Sequence, residues 1–128
     1  MLGVVVELPI NGSHDTVAAY ADGRARYLNH GGGVIVVEDA VTADVAKVIN
    51  ACIELGQQLA NVLGVWEGQA LPTLGPNTAR VELLTPGGIR FGQAPLEQLQ
   101  QNAMANEVIK AAMLTAALLV KQTNSTDA

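Results

Sequence analysis

Ser13-His14-Asp15 supplies, within three residues, a hydroxyl, an imidazole and a carboxylate. These are the side-chain types of an acyl-transfer triad, whose nucleophile, base and orienting group must each lie within hydrogen-bond reach of the next. Three chain neighbours cannot take that geometry together, so the segment is expected to be a turn. The other histidine is His30 and the single cysteine is Cys52. Cys52 falls on the apolar stripe of a helical segment, where a thiol behaves as a small core residue. No set of His, Cys, Asp and Glu has ligand spacing, so neither a metal nor a cofactor is expected. Glu38-Asp39 places two carboxylates side by side, but a strand end before a helix is an ordinary solvated position for them. No residue is assigned a catalytic role.

His30-Gly31-Gly32-Gly33 carries more chemical content. Consecutive glycine amides can build part of an oxyanion hole. The chain has no Gly-x-Ser-x-Gly elbow, however, and is too short for the large parallel sheet on which that chemistry is mounted. A phosphate loop would need a helix after the glycines, and Val34 to Glu38 reads as a strand. A strand-connecting turn that exploits glycine φ angles is the expectation. If the chain binds a small ligand, the expected pocket is formed by His30, Gly31, Gly32 and Trp66, walled by the irregular proline- and glycine-bearing stretch from residue 66 to 78.

These residues must be positioned by short strands and two main helices. Gly3 to Leu8 alternates so that Val4, Val6 and Leu8 share a face. Asp22-Gly23 suits a two-residue type I′ turn, and counting outward from it puts Ala18, Tyr20, Ala25 and Tyr27 on one surface. Ala19, Ala21, Arg24 and Arg26 then share the other. Each tyrosine would face an alanine, so the tyrosine surface is expected to lie under the helices. A second hairpin around Pro86-Gly87-Gly88 is read with a three-residue loop, which turns Val81, Leu83, Ile89 and Phe91 inward and Arg80, Glu82 and Arg90 outward.

Thr42 is a candidate N-cap and Gly64 a candidate helix stop, bracketing about six turns. The apolar stripe of that helix is Val45, Val48, Ile49, Cys52, Leu55, Leu59, Val62 and Leu63. A short helix is expected at 96–101, an irregularity near Asn102, and a last helix from about 104 to 121, apolar nearly all round. The sum is an α+β domain over residues 1–121 with a polar tail at 122–128. Its single antiparallel sheet has about five strands, in the order β-β-β-α-β-β-α, with helices on one face.

With 49% hydrophobic residues but only one Trp, two Tyr and one Phe, the core must be aliphatic. Seven basic residues within a net charge of -5 argue against nucleic acid and against an anionic membrane surface. The run from Ala111 to Val120 is about half the length a bilayer requires. The net charge alone would also suit an acidic partner of a basic protein. A lone cysteine fits a reducing, cytoplasmic setting.

The pattern Ala21-Asp22-Gly23, Arg26-Tyr27, Gly31-Gly32-Gly33-Val34-Ile35 and Leu83-Leu84-Thr85-Pro86-Gly87-Gly88 resembles a group of small bacterial proteins of unassigned function. That resemblance implies a shared fold and a bacterial cytoplasmic setting, and brings no catalytic residue. The layered order is also similar to profilin-like and roadblock-like modules, which implies a sheet used for dimerisation and protein binding. The leading expectation is a non-catalytic homodimeric binding or adaptor module. Its interface would draw on Arg24, Arg26, Arg80 and Arg90 of the sheet, or on the small residues Ala112 and Ala116 of the last helix.

Overall fold

The computed structural model describes all of the chain except residues 38–41, 69 and 128 and the side chains of 36, 37 and 122–127. Glu38-Asp39 therefore lies outside the described residues. Six strands, β1 (Gly3–Ile10), β2 (Ser13–Tyr20), β3 (Ala25–Leu28), β4 (Val34–Val37), β5 (Thr78–Thr85) and β6 (Gly88–Pro95), form one antiparallel sheet in the order β4-β3-β2-β1-β5-β6. Helix α1 (Ala43–Ala60) follows β4, and α2 (Leu96–Gln101) and α3 (Ala103–Asp127) follow β6. The α+β class and the antiparallel sheet are as expected, with six strands rather than about five. The strand expected from Val34 to Glu38 is β4, which pairs fully with β3 over Val34–Val37. The expected polar tail continues α3 as far as Asp127.

Turn chemistry sets the register. Asn11 and Gly12, at φ 49° and 79°, form a two-residue turn that pairs Ile10 with Ser13. Ser13-His14-Asp15 is thus the start of β2 and not a turn. In the next hairpin only Gly23 takes positive φ, 94°. Tyr20 N–H donates to Arg24 O at 2.9 Å and Gly23 N–H to Tyr20 O at 3.0 Å, which leaves a three-residue loop of Ala21, Asp22 and Gly23. The Asp22 carboxylate folds onto Arg24, accepting its backbone N–H at 3.1 Å and pairing with its guanidinium at 2.6 Å. The observed pairs are Val17 with Tyr27, Ala18 with Arg26 and Ala19 with Ala25, one residue away from the expected register.

A one-residue slip exchanges the faces of one strand relative to its partner, here those of β2. Tyr27 lies on the helix-covered face with Val17, Ala19 and Ala25, whereas Tyr20 lies on the outer face. There the Tyr20 ring covers Gly3, where a Cβ would meet Tyr20 Cδ1 at 2.9 Å.

The second hairpin also departs from expectation. Thr85 pairs with Gly88 and Leu83 with Arg90, a two-residue connection through Pro86-Gly87. Ile89 and Phe91 consequently face outward and Arg90 faces the helices. Arg90 is useful there, because Nη1 donates to Ala60 O at 3.1 Å and to Leu63 O at 2.7 Å. Carbonyls at a helix end lack intrahelical partners and carry the negative end of the dipole, so a guanidinium is well suited to them.

Thr42 caps α1, its Oγ1 accepting from Val45 N–H at 3.3 Å. The helix stops at Ala60, four residues before Gly64, and Val62 is exposed. Val45, Val48, Ile49, Cys52 and Leu59 are buried as expected. Gly56 allows α1 to rest directly on β1, since a Cβ there would lie 2.5 Å from Val4 Cγ2. Asn102 leaves helical geometry, and its Oδ1 accepts from Ala105 N–H at 3.0 Å, which separates α2 from α3. Helix α3 buries Ala105, Val108, Ile109, Ala112, Thr115 and Leu119, and the Thr115 hydroxyl is satisfied by Ala111 O at 2.8 Å. The stretch Ala103–Lys121 has the length and mean hydropathy, 1.5, of a membrane span. In this fold 33% of that stretch is buried, against α1 and the sheet, which share one core with it.

Candidate functional site

Where β1, β2 and β3 pass beneath the C-terminal half of α3 they leave a cavity of about 420 Å³. Its floor is Leu8, Ile10, Val17, Asp15 and Tyr27, and its roof is Met113, Ala116, Ala117 and Val120. The cavity follows from local sequence. Asp15 precedes Val17 by two residues in a strand, which places a carboxylate on the face otherwise lined with aliphatics. Ala116 and Ala117 are too small to fill the space that α3 spans above it. Met113, Ala117 and Val120, exposed among the lining residues, form the mouth.

Asp15 is 5% exposed and holds three hydrogen bonds. Tyr27 Oη donates to Oδ2 at 2.6 Å, and the backbone N–H of His30 and its ring Nδ1 both lie on Oδ1, at 2.7 and 2.9 Å. Burial raises the Asp15 carboxyl, but these hydrogen bonds more than reverse it, and the group ionises below its usual value. The same bond to Asp15, with burial behind it, pushes Tyr27 up to about 12, so its proton stays in place. Because an ionised carboxylate only accepts, Nδ1 of His30 carries the hydrogen and Nε2 is left as the other ring position. Among the described residues no hydroxyl or thiol is bonded to that Nε2. Cys52 is in the core, where burial pushes its thiol up to about 11.

The glycine turn after His30 holds its own amides. Gly31 and Gly33 N–H donate to Asn29 Oδ1 at 2.8 and 2.9 Å, and Gly32 N–H, at a residue with φ 91°, donates to Asn29 O at 3.0 Å. No anion hole is available there. The turn instead presents His30 to Asp15.

The pocket expected from His30, Gly31, Gly32 and Trp66 is not assembled. His30 follows β3 near one edge of the sheet, whereas Trp66 N–H donates to Ile89 O of β6 at the other, about 20 Å away by strand spacing. The Trp66 ring meets Phe91 edge-on, with centroids 5.3 Å apart and planes at 77°. From there the connection crosses the outer face. Arg80, 8% exposed, donates to Pro72 O at 2.6 Å, to Gln93 Oε1 at 3.1 Å and to Glu7 Oε2 at 2.8 Å, and pairs with Glu82 Oε1 at 2.9 Å.

The expected arginine interface is divided in the same way. Arg80 ties down the connection, Arg90 holds the end of α1, and Arg24 sits at a hairpin tip with Asp22, which leaves Arg26 exposed on the outer face. Ala112 is buried inside the monomer and Ala116 lines the cavity. Among the described residues no group of three His, Cys, Asp or Glu could hold a metal ion.

Sequence reasoning misses Asp15 because Ser13-His14-Asp15 reads as a turn, whereas it begins β2. Its signal was its parity with Val17 and Ala19. No family model, curated protein or solved structure matches the chain.

Proposed function

We propose that this domain binds a small, largely apolar molecule in the cavity under α3. The observation that carries the reading is the combination of an aliphatic chamber with a single polar end, Asp15 and Tyr27, of the size and character of small-molecule sites. Apolar walls supply affinity through burial, and one fixed polar end supplies orientation. His30 holds Asp15 in place. A bacterial cytoplasmic setting and the absence of catalysis belong to the same proposal. The test is titration with the uncharged dye N-phenyl-1-naphthylamine: saturable fluorescence enhancement at one site per chain, lost in Ala117→Trp, supports it. Enhancement that survives Ala117→Trp, or none at all, contradicts it.

A second reading, a homodimeric protein-binding or adaptor module, is favoured by one specific observation. Met113 and Leu114 are 52% and 53% exposed on α3 and adjoin Val120, an apolar patch that a second copy would cover. Sedimentation of the chain and of Leu114→Glu distinguishes them: a concentration-dependent dimer lost in the variant supports self-association, and a monomer at all concentrations removes it.

A further inference from the structure

The hydrogen-bond inventory at the polar end restricts what can enter, on the reading that the cavity is a ligand site. Asp15 Oδ1 already accepts two hydrogens, from His30 N–H and Nδ1, and Oδ2 accepts one from Tyr27. An ionised carboxylate has about four acceptor positions, so one remains, on Oδ2. The Tyr27 hydroxyl has committed its only hydrogen to Asp15 and retains acceptor capacity. The other lining side chains, Leu8, Ile10, Val17, Met113, Ala116, Ala117 and Val120, have no N–H or O–H to offer. The cavity therefore presents acceptors and no side-chain donor.

The geometry points to an amphiphile with an alkyl or aryl body and a hydrogen-bond donor head, with a primary ammonium preferred, as the ligand of this cavity. An ammonium meets both a free acceptor and the Asp15 charge. An alcohol satisfies the acceptor alone. A carboxylate or phosphate finds no donor and is repelled by Asp15, and a buried polar group left unpaired is strongly disfavoured.

The experiment is displacement of N-phenyl-1-naphthylamine from the full chain by hexylamine, 1-hexanol and hexanoate, which share a body and differ in the head. The expected order is amine, then alcohol, then carboxylate, with about tenfold or more between the first and last, as one charge-assisted hydrogen bond provides. Asp15→Asn should remove the advantage of hexylamine over hexanol. Equal displacement by all three, or hexanoate in first place, overturns the head-group assignment while leaving the dye site intact. Failure of the dye to bind overturns the cavity reading itself, and this assignment with it. Should Asp15→Asn not fold, the ranking on the unaltered chain decides alone, because a carboxylate-first or flat order already contradicts the assignment.

Discussion

The Tyr27 hydroxyl donates to Asp15 Oδ2 across 2.6 Å, from β3 to β2, on the face of the sheet that α3 covers. On β2, one of the two central strands, a buried carboxylate is kept ionised by its neighbours rather than by water. Tyr27→Phe removes one of those neighbours, and a hydrogen bond to a charged group is worth about 1.5–3 kcal/mol. The variant should lose that order of unfolding free energy in urea at neutral pH. A loss below about 0.5 kcal/mol would place the bond in the range of a neutral surface change.

Acid sensitivity follows from the same pair. Asp15 ionises in the folded state below its ordinary value, so it contributes stability above the unfolded pKa that is lost as pH falls through the folded one. Tyr27→Phe raises the folded value, and its acid-unfolding midpoint should move to higher pH than that of the parent chain. Circular dichroism across pH 2 to 5 measures this. Tyr27 acts in the opposite direction: its contribution is complete below pH 10 and fades as pH rises through about 12.

On the outer face, Glu82 has the reverse sign. Burial, then the neighbouring Glu7 carboxyl, push it up to about 7 against the pull of Arg80. A folded pKa raised above the unfolded 4.5 gives stability that is present below pH 4.5 and lost as pH rises through 7. Glu82→Gln should therefore gain on the parent chain as pH rises from 5 to 8, seen as a widening gap in denaturation midpoints. A constant gap would mean that Arg80 neutralises both carboxylates.

Gly56→Ala tests the approach of α1 to the sheet. Helix propensity alone favours alanine by about 1 kcal/mol. The new methyl would meet Val4 Cγ2 at 2.5 Å, and overpacking a core costs about 1–3 kcal/mol. Destabilisation is the expected net result in thermal unfolding, and a stabilised variant would show that α1 shifts without cost.

The layer order, the face of β1 and the buried stripe of α1 were legible because each follows from periodicity over many residues. The site was not, because it depends on parity. Asp22-Gly23 has the composition of a two-residue turn, but Asp22 keeps negative φ by bonding Arg24, and the extra loop residue leaves Tyr27 under α3 while turning Tyr20 to the outer face. Arg90 likewise turned inward because α1's terminal carbonyls gain a donor there, a long-range demand that local sequence does not display. The sequence reading joins His30 to Trp66, since nothing in the chain shows that the two lie toward opposite edges of the sheet.

The measurement closest to the central claim is a methyl NMR titration of the full chain with hexylamine. The account predicts saturable shifts confined to Leu8, Ile10, Val17, Met113 and Val120, with the Tyr27 ring moving in step. Shifts that are absent, linear without saturation, or centred on Trp66 and the outer face would contradict it.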